Sequence, residues 1–204
     1  MKHDIDQTLE YYEKNTDAFV STTKDVDVTE LHDRFLALLP ANACILDLGC
    51  GSGRDSKAFL DRGYRIRSVD GSPEMCRSAS ILTGQRVLCM MFNELAVESE
   101  FDGVWACASL LHVPAKNLTA MFWKIARALK PGGIFYASFK YGDYEGIRNE
   151  RHNTDLTEES FRHYIDPVKD FEILDMWTCE RIARVGRDQM MWLNVLVKKK
   201  YGTK

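Results

Sequence analysis

The chain has 204 residues, of which 45% are hydrophobic and 28% are charged, and its formal net charge is −3 at pH 7. This length and composition suit one globular domain and exclude a disordered or collagen-like chain. Because a nucleic-acid backbone attracts basic surfaces, the negative net charge argues against a nucleic-acid partner, and the basic residues 198–204 are interpreted as a solvated tail. No stretch approaches the ~20 apolar residues of a membrane span, so no membrane partner is expected.

The N-terminal residues and the cysteines indicate the cellular compartment of the protein. Residues 1–14 are polar and lack the apolar segment of a signal peptide. The six cysteines form no C-x-x-C pair and have no zinc-like spacing, so we expect free thiols and no bound metal. These features predict a cytoplasmic protein, and they leave its oligomeric state open.

Short apolar segments alternate with amphipathic segments, which is the pattern of a parallel sheet covered by helices on both faces. Helices are predicted at residues 4–20, 30–39, 54–62, 73–82, 115–129 and 158–164. Strands are predicted at residues 44–48, 64–69, 85–90, 104–109, 134–139, 171–177 and 190–197. A polar break is expected at residues 21–24, and Thr29 and Ser72 are the predicted N-caps of the second and fourth helices.

The predicted fold class is α/β, a three-layer α/β/α doubly wound sheet of five parallel strands plus a C-terminal antiparallel hairpin. The hairpin follows because no helix separates the last two strands, and its turn is expected at residues 185–188. Residues 1–204 are expected to form a single domain. Within it, the helices of residues 1–40 are expected to form a lid, and residues 141–168 to line the substrate side of the site.

The most informative segment is D-L-G-C-G-S-G-R at residues 47–54, where the first strand ends and a helix begins. Glycines in such a turn permit positive φ angles and let a ligand approach the backbone closely. Doubly wound sheets bind their ligands at this edge. Arg54 stands where the dinucleotide motif G-x-G-x-x-G has its third glycine, and Asp47 precedes the first glycine by two residues, which favours a cofactor other than a dinucleotide.

A second acid ends the second strand. Asp70 follows Gly53 by 17 residues and is placed to bind ribose hydroxyls, which both cofactor classes contain. The structural alternatives are a helix or turn cap for Asp47 and a strand-end turn residue for Asp70. Neither alternative explains two acids that flank one glycine loop.

Four motifs together resemble those of class I S-adenosyl-L-methionine-dependent methyltransferases: D-L-G-C-G-S-G-R, V-D-G-S-P-E-M, L-L-H-V-P after the fourth strand and L-K-P-G-G before the fifth. The chain is most similar to compact bacterial small-molecule enzymes, which include the tellurite-resistance methyltransferases. The resemblance covers about residues 30–140 and implies the Rossmann-like methyltransferase fold. It also implies methyl transfer from S-adenosyl-L-methionine to a small-molecule acceptor.

The resemblance implies a set of cofactor-binding residues. Asp47, Gly49 and Gly51 line the methionine side, with Arg54 toward the methionyl carboxylate. Tyr12, Cys50 and Ala108 are further cofactor-binding candidates. Those around the adenosine are Asp70, Gly71, Ser72, Met75, Met91 and Phe92. Many relatives have an acid at the end of the third strand, where this chain has Met91 and Phe92; these two either pack on the adenine or belong to the core.

The candidate catalytic residues are His112, Lys140 and Tyr141, which follow the fourth and fifth strands, whose ends should face the methyl group. With residues 141–156, under the N-terminal helix, they are expected to form the acceptor pocket. Alternatively, His112 caps a helix or lines the methionine pocket, and Lys140 and Tyr141 lie at the surface. On the closing hairpin Trp192 is assigned to packing, whereas Arg187 and Asn194 are left open. Tyr11 and Tyr12 either close over the cofactor or pack on the body.

Three other functions remain as alternatives. The first is methylation of a protein or RNA, reached through residues 141–156 and the basic tail. The second is a nicotinamide-dependent oxidoreductase, which the short segment after the fifth strand disfavours. The third is a cofactor-binding sensor without catalysis, which the fold alone does not exclude.

Overall fold

The computed structural model describes residues 2–24, 26–181 and 190–202. The predicted turn at residues 185–188, and Arg187 with it, lie outside this part. The helices are α1 (Lys2–Lys14), α2 (Thr16–Thr23), α3 (Thr29–Leu36), α4 (Arg54–Asp61), α5 (Pro73–Thr83), α6 (Ala115–Ala128) and α7 (Glu158–Ile165). The strands are β1 (Cys44–Leu48), β2 (Arg65–Asp70), β3 (Leu88–Cys89), β4 (Phe101–Ala106), β5 (Leu129–Lys140), β6 (Glu145–Arg148), β7 (Arg151–Thr154), β8 (Phe171–Arg181) and β9 (Met190–Lys199).

One seven-stranded sheet has the order β3-β2-β1-β4-β5-β9-β8. The first five of these strands are parallel, and β9 is antiparallel to both β5 and β8. Strand β1 pairs with β2 on one side and β4 on the other, so its carboxyl end opens at the middle of the parallel strands. The predicted α/β fold class is confirmed, including the antiparallel pair at the sheet edge.

The two faces of the sheet bury separate apolar clusters. Phe122 of α6 and Phe161 of α7 belong to the cluster on one face, and Phe35 of α3 belongs to the other. Trp105 and Tyr136 are register partners on β4 and β5, and their rings stack with centroids 4.0 Å apart on the face of Phe35. Because side chains alternate along a strand, the neighbours of Trp105 point to the opposite cluster. The sheet is therefore covered by helices on both faces, as predicted.

The prediction of one N-terminal helix followed by a polar break is wrong. The helix is interrupted at Asn15, whose side-chain amide donates to the carbonyl of Tyr11. Residues 21–23 instead continue α2, because their hydroxyls donate to carbonyls one turn earlier, as Thr22 does to Ala18 at 2.7 Å. Polar residues with this bonding option do not mark a helix end.

The two predicted N-caps have different outcomes. Ser72 is confirmed, since its hydroxyl accepts the N–H of Met75 at the start of α5. Thr29 is wrong as an N-cap, because it lies inside α3 and its N–H donates to the carboxylate of Asp27 at 2.9 Å. Helix α3 also ends at Leu36, before the predicted stop at Pro40.

A hairpin occupies part of the segment that was predicted as a polar loop. Strands β6 and β7 pair antiparallel, and both turn residues, Asn149 and Glu150, have positive φ angles of 50° and 60°. Strand β5 likewise begins at Leu129, the first residue of the L-K-P-G-G motif that was placed before the strand, since Leu129 pairs with Phe101 of β4. Among the described residues, no helix is both long enough and apolar enough to cross a membrane.

Candidate active site

The glycine turn after β1 has a backbone that only glycine adopts readily. Gly49, Gly51 and Gly53 have φ angles of 82°, 54° and 83°. A Cβ on Gly49 would lie 2.5 Å from the Cβ of Ser109, so a side chain there would displace the segment that follows β4. The N–H groups of Gly49 and Cys50 both donate to the carbonyl of Val69, at 2.9 and 3.0 Å. The turn is thus held against the carboxyl end of β2.

Asp70 joins the glycine turn to the turn that follows β2. Its carboxylate accepts the N–H of Gly51 at 2.8 Å and the N–H of Ser72 at 2.9 Å. Burial raises the pKa of Asp70, and the backbone donors oppose that shift. A carboxylate has about four lone-pair sites, so these two bonds leave capacity for ribose hydroxyls. The position suits both the turn role and the ribose role, and the ribose role stays a prediction.

Asp47 lies beneath the glycine turn and is almost fully buried. It accepts the hydroxyl of Ser56 at 2.6 Å, and the Ser56 oxygen also lies 2.7 Å from the hydroxyl oxygen of Ser68. Burial raises the pKa of Asp47 well above its ordinary value, and the neighbouring Asp55 charge raises it further. A carboxyl in this setting gains from any cation that comes close.

Arg54 is turned toward the start of its own helix. Its Nε and Nη2 donate to Asp55 at 2.7 and 3.0 Å, and its Nη1 donates to the carbonyl of Thr23 at 3.3 Å. Asp55 also receives His32 Nε2 and the indole N–H of Trp105, at 3.1 and 2.9 Å. These donors lower the pKa of Asp55 despite its burial. They tie α2 and α3 to α4, and the predicted contact of Arg54 with the methionyl carboxylate stays a prediction.

The predicted adenosine residues gather around Gly71. A Cβ on Gly71 would lie 3.1 Å from the sulfur of Met91, and a Cβ on Gly49 would lie 3.2 Å from the ring of Phe92. Met91 and Phe92 are half-buried, whereas Met75 is buried within the molecule. Phe92 also packs against the buried apolar cluster on one face of the sheet, so the choice between an adenine-packing role and a core role stays a prediction.

The backbone after β4 has one strained residue. Ala108 has a φ angle of +52°, which is uncommon outside glycine, and its N–H donates to the hydroxyl of Ser138 at 2.8 Å. The next residue, Ser109, donates its hydroxyl to the carbonyl of Leu48 at 2.6 Å. These two serines hold the ends of β1, β4 and β5 together. The sequence analysis did not assign either serine, because a small polar residue after a strand gives no specific signal.

The N-terminal helices pack directly over the glycine turns. Leu9 of α1 lies 3.0 Å from the position of a Cβ on Gly71, and Phe19 of α2 lies 3.5 Å from that of a Cβ on Gly51. Tyr12 lies between them, with its ring centroid 5.2 Å from that of Phe19. Side chains of α1 and α2 therefore meet the turns to which the cofactor was assigned. Whether these helices open and close as a lid stays a prediction.

His112 is held in one protonation state by two hydrogen bonds. Its Nδ1 lies 2.6 Å from the carbonyl oxygen of His152, and because a carbonyl only accepts, we assign the proton to Nδ1. Its Nε2 then accepts the hydroxyl of Tyr12 at 2.8 Å. Burial lowers the pKa of His112 to about 3. His112 is therefore neutral, and its one lone pair is already used by Tyr12, which favours the pocket-lining alternative over a general base.

The side chains of the consecutive residues Lys140 and Tyr141 lie in different surroundings. Lys140 donates to the side-chain oxygen of Asn153 at 2.6 Å, and burial together with the charges of Arg148 and Arg151 lowers its pKa to about 8. Tyr141 is 42% exposed, and a hydrogen bond with Glu158 of α7 raises the pKa of its hydroxyl. This placement supports the surface alternative for Tyr141.

Two residues of the closing hairpin, Trp192 and Asn194, lie on β9 in the described part of the chain. Asn194 is fully buried and accepts the hydroxyl of Tyr136 at 2.8 Å, so it links β9 to β5 within the core. Trp192 is half-buried and is the register partner of Lys140. Asn194, which the sequence left open, therefore has a structural role.

Arg151 of β7 was missed by the sequence analysis. Its Nη1 donates to the hydroxyl of Tyr12 at 3.3 Å, and its guanidinium lies 4.4 Å from the ring centroid of Tyr11. The next residue, His152, donates its N–H to the hydroxyl of Thr8 at 2.9 Å. Strand β7 thus anchors α1. No local pattern marks Arg151, because its partners lie about 140 residues away along the chain.

A comparison with models of protein families matches the part of the chain that contains the glycine turn and the two acids. Residues 46–137, which run from β1 to β5, match the family model described as a methyltransferase domain. This segment is a methyltransferase domain. The resemblance to class I methyltransferases that the motifs indicated is confirmed, whereas the narrower resemblance to the tellurite-resistance type stays a prediction.

Curated relatives match about half of the chain. The ubiquinone biosynthesis O-methyltransferase of Xanthomonas axonopodis pv. citri is 35% identical over 108 residues, which are 50% of this chain and 44% of that protein. The 2-methyl-6-phytyl-1,4-hydroquinone methyltransferase of Synechocystis is 31% identical over 48% of this chain and 32% of that protein. The chain thus spans less than half the length of these two relatives.

Solved structures share the fold over nearly the whole chain. The 1,6-didemethyltoxoflavin-N1-methyltransferase of Burkholderia thailandensis, solved with S-adenosylhomocysteine, has a TM-score of 0.74 and 22% identity, covering 96% of this chain and 87% of that one. The magnesium protoporphyrin IX methyltransferase of Synechocystis, solved with the same molecule, has a TM-score of 0.73 and 15% identity, covering 97% and 100%. At these identities the likeness establishes the fold alone.

Proposed function

We propose that this chain transfers a methyl group from S-adenosyl-L-methionine to a small-molecule acceptor. The observation that carries the proposal is the arrangement of two acids about one glycine turn. Asp70 accepts N–H groups from both turns at the edge of the sheet, and Asp47 lies buried beneath the first of them. This arrangement lies inside the segment that matches the methyltransferase domain.

The residues at this edge fit the cofactor part by part. Asp70 would bind the ribose hydroxyls, and Met91 and Phe92 would pack on the adenine. Asp47 would face the methionyl ammonium, which favours an ionised carboxylate in a site that otherwise raises its pKa. Gly49 and Gly51 lack the side chains that would block approach to the backbone. When bound, the cofactor supplies an electrophilic methyl group on a sulfonium.

The contribution of the protein to the reaction is mainly alignment. Holding two reactants in line contributes on the order of 7–11 kcal/mol toward a displacement of this kind. Tyr12, His112 and Arg151 come from three separate elements and fix one another by hydrogen bonds, so they form a rigid wall beside the glycine turns. Of the three candidate catalytic residues, Lys140 is half-buried at the end of β5, and a pKa lowered only to about 8 leaves it mostly protonated at pH 7, so we assign it the role of orienting the acceptor through its charge.

A small acceptor is favoured because α1 and α2 pack over the glycine turns, which leaves a macromolecule no open approach from that side. The two curated relatives are named for ubiquinone biosynthesis and for a hydroquinone, both of which concern small molecules. Free cysteines, six in number, support a cytoplasmic location. These observations disfavour the protein or RNA alternative.

Isothermal titration tests the cofactor part of the proposal. S-adenosylhomocysteine is expected to bind with a Kd in the micromolar range or below, and NAD is expected not to bind. Tight binding of NAD would sustain the oxidoreductase alternative instead. Transfer of radiolabelled methyl groups to a panel of phenols, amines, thiols and carboxylic acids then tests catalysis, and binding without any transfer across the panel would favour the sensor alternative.

A further inference from the structure

A group of basic side chains lies on the acceptor side of the site. It consists of Lys140 at the end of β5 and Arg148 and Arg151 on the β6–β7 hairpin, and the charges of both arginines lower the pKa of Lys140. Asp155 pairs with Arg148, at 2.7 and 3.2 Å, and so compensates one of the three charges. Two positive charges remain to be balanced.

Lys140 and Arg151 have neutral partners. Lys140 donates to the amide oxygen of Asn153, and Arg151 donates to the hydroxyl of Tyr12. The Arg151 guanidinium also lies over the rings of Tyr11 and Tyr12, at 4.4 and 5.6 Å from their centroids. Within residues 2–24, 26–181 and 190–202, neither cation has a carboxylate in ion-pair contact. Partly buried charges without a counter-ion are costly, so the site gains from an anion.

One donor of Arg151 indicates where that anion would sit. The Nε atom is buried, and it has no hydrogen-bond partner among the described residues. Buried donors are nearly always paired, and each exception calls for an explanation. The Nε edge of a guanidinium is planar and presents parallel N–H groups, which match the two oxygens of a carboxylate.

We propose that the methyl acceptor carries a carboxylate, which Arg151 binds through Nε and which Lys140 attracts. The proposal rests on the proposed function, because it names the chemical class of the acceptor for the same site. The methionyl carboxylate of the cofactor is a second source of the same chemistry. The acceptor is favoured because Lys140 ends β5, which β1 and β4 separate from β2 and the ribose acid Asp70 in the order of the sheet.

The test uses the full chain saturated with S-adenosylhomocysteine and two probes of equal shape, benzoate and benzamide, in isothermal titrations. Wild-type protein is expected to bind benzoate about tenfold more tightly than benzamide, as one charge-assisted hydrogen bond provides. Arg151→Gln is expected to abolish this preference by weakening benzoate alone. Arg162→Gln, which removes the same charge from an exposed position on α7, is the matched control and should keep the preference.

Three outcomes would overturn the proposal. In the first, the wild type binds the two probes equally or does not bind benzoate at millimolar concentration. In the second, Arg151→Gln still prefers benzoate to benzamide. In the third, Arg151→Gln loses tenfold in affinity for S-adenosylhomocysteine, which would assign Arg151 to the cofactor. If Arg151→Gln does not fold, Arg151→Lys replaces it, and several-fold weaker benzoate binding is expected because the planar edge is lost. Failure of the wild type to bind S-adenosylhomocysteine would count against the proposed function itself.

Discussion

Asp70 is the residue at which the turns after β1 and β2 meet, since it accepts N–H groups from Gly51 and Ser72. Asp70→Ala is expected to weaken S-adenosylhomocysteine binding by about 2 kcal/mol or more, because hydrogen bonds to a charged acceptor contribute roughly 1.5–3 kcal/mol each. Isothermal titration measures the change. Asp61→Ala, which removes an exposed carboxylate from α4, should leave the affinity unchanged. Unchanged affinity of Asp70→Ala with a lowered Tm would leave Asp70 only its turn role.

His112 makes stability depend on pH. Its pKa is lowered to about 3, whereas an unfolded histidine titrates near 6.5, so the unfolded chain binds the proton more readily between these values. The contribution is therefore fully present above about pH 6.5 and is lost as pH falls toward about 3. Between about pH 7.5 and pH 5, the contribution of His112 to the free energy of unfolding should fall by about 2 kcal/mol.

Urea unfolding of His112→Gln at the two pH values measures this contribution, because the variant lacks the titrating group and all other groups titrate in both proteins. The variant should lose about 2 kcal/mol less than the wild type on acidification. His163→Gln, at an exposed position on α7, should behave as the wild type does. If His112→Gln matched the wild type too, His112 would not be held neutral by the fold.

At the residue scale, the sequence could predict the half of the site that is local in the chain. The glycine turn and Asp47 occupy one short motif, and Asp70 follows at a fixed distance at the next strand end. The other half is built by contacts between distant residues, since Tyr12 bonds to His112 and Arg151 across 100 and 139 positions. No local pattern encodes such pairs, so Arg151 was missed and the role of His112 was left open.

At the element scale, α1 and α2 pack over the glycine turns. None of their described side chains belongs to the buried apolar clusters, yet Leu9, Tyr12 and Phe19 contact the glycine turns or the residues beside them. A chain lacking residues 1–24 is therefore expected to unfold cooperatively but to release S-adenosylhomocysteine at least about tenfold faster, since ligand-covering segments govern escape.

Stopped-flow displacement measures the release rate, with Tyr11→Phe as the control, because this change keeps the aromatic ring beside Arg151. An unchanged release rate in the shortened chain would contradict the lid interpretation. A shortened chain that does not unfold cooperatively would instead show that α1 and α2 belong to the core.

Elements with an apolar pattern were predicted in the right order, but the bounds of two strands were wrong, since β3 spans only Leu88–Cys89 of the predicted residues 85–90 and β4 begins at Phe101, three residues before its predicted start. Elements built from polar residues were missed. The bounds of β1 agree with the prediction, because its run C-I-L-D-L is apolar and is followed by glycine. The β6–β7 hairpin was missed, since E-G-I-R and R-H-N-T have no apolar face and Asn149-Glu150 is not a common turn pair. Its pairing depends on the packing of β7 against α1.

At the scale of the whole molecule, the sheet separates two cores that should behave as one cooperative unit. Phe35 and Phe122 are fully buried in clusters on opposite faces. Each change to alanine is expected to cost about 3–5 kcal/mol of unfolding free energy, and the double variant should show the sum within about 0.5 kcal/mol, because the residues share no contacts. Urea unfolding measures all three variants, and two separate transitions would contradict a single domain.

The position of β9 decides when the sheet can be completed during synthesis of the chain. This strand is made after β8, yet it lies between β5 and β8, and among the described strands β8 pairs with β9 alone. On the ribosome, five strands can assemble while β5 still presents an open, largely apolar edge to other nascent chains. Any message cut short before residue 190 would yield a product that keeps the unpaired edge of β5. Chaperones and proteases would act on such a product, because it cannot reach the complete fold.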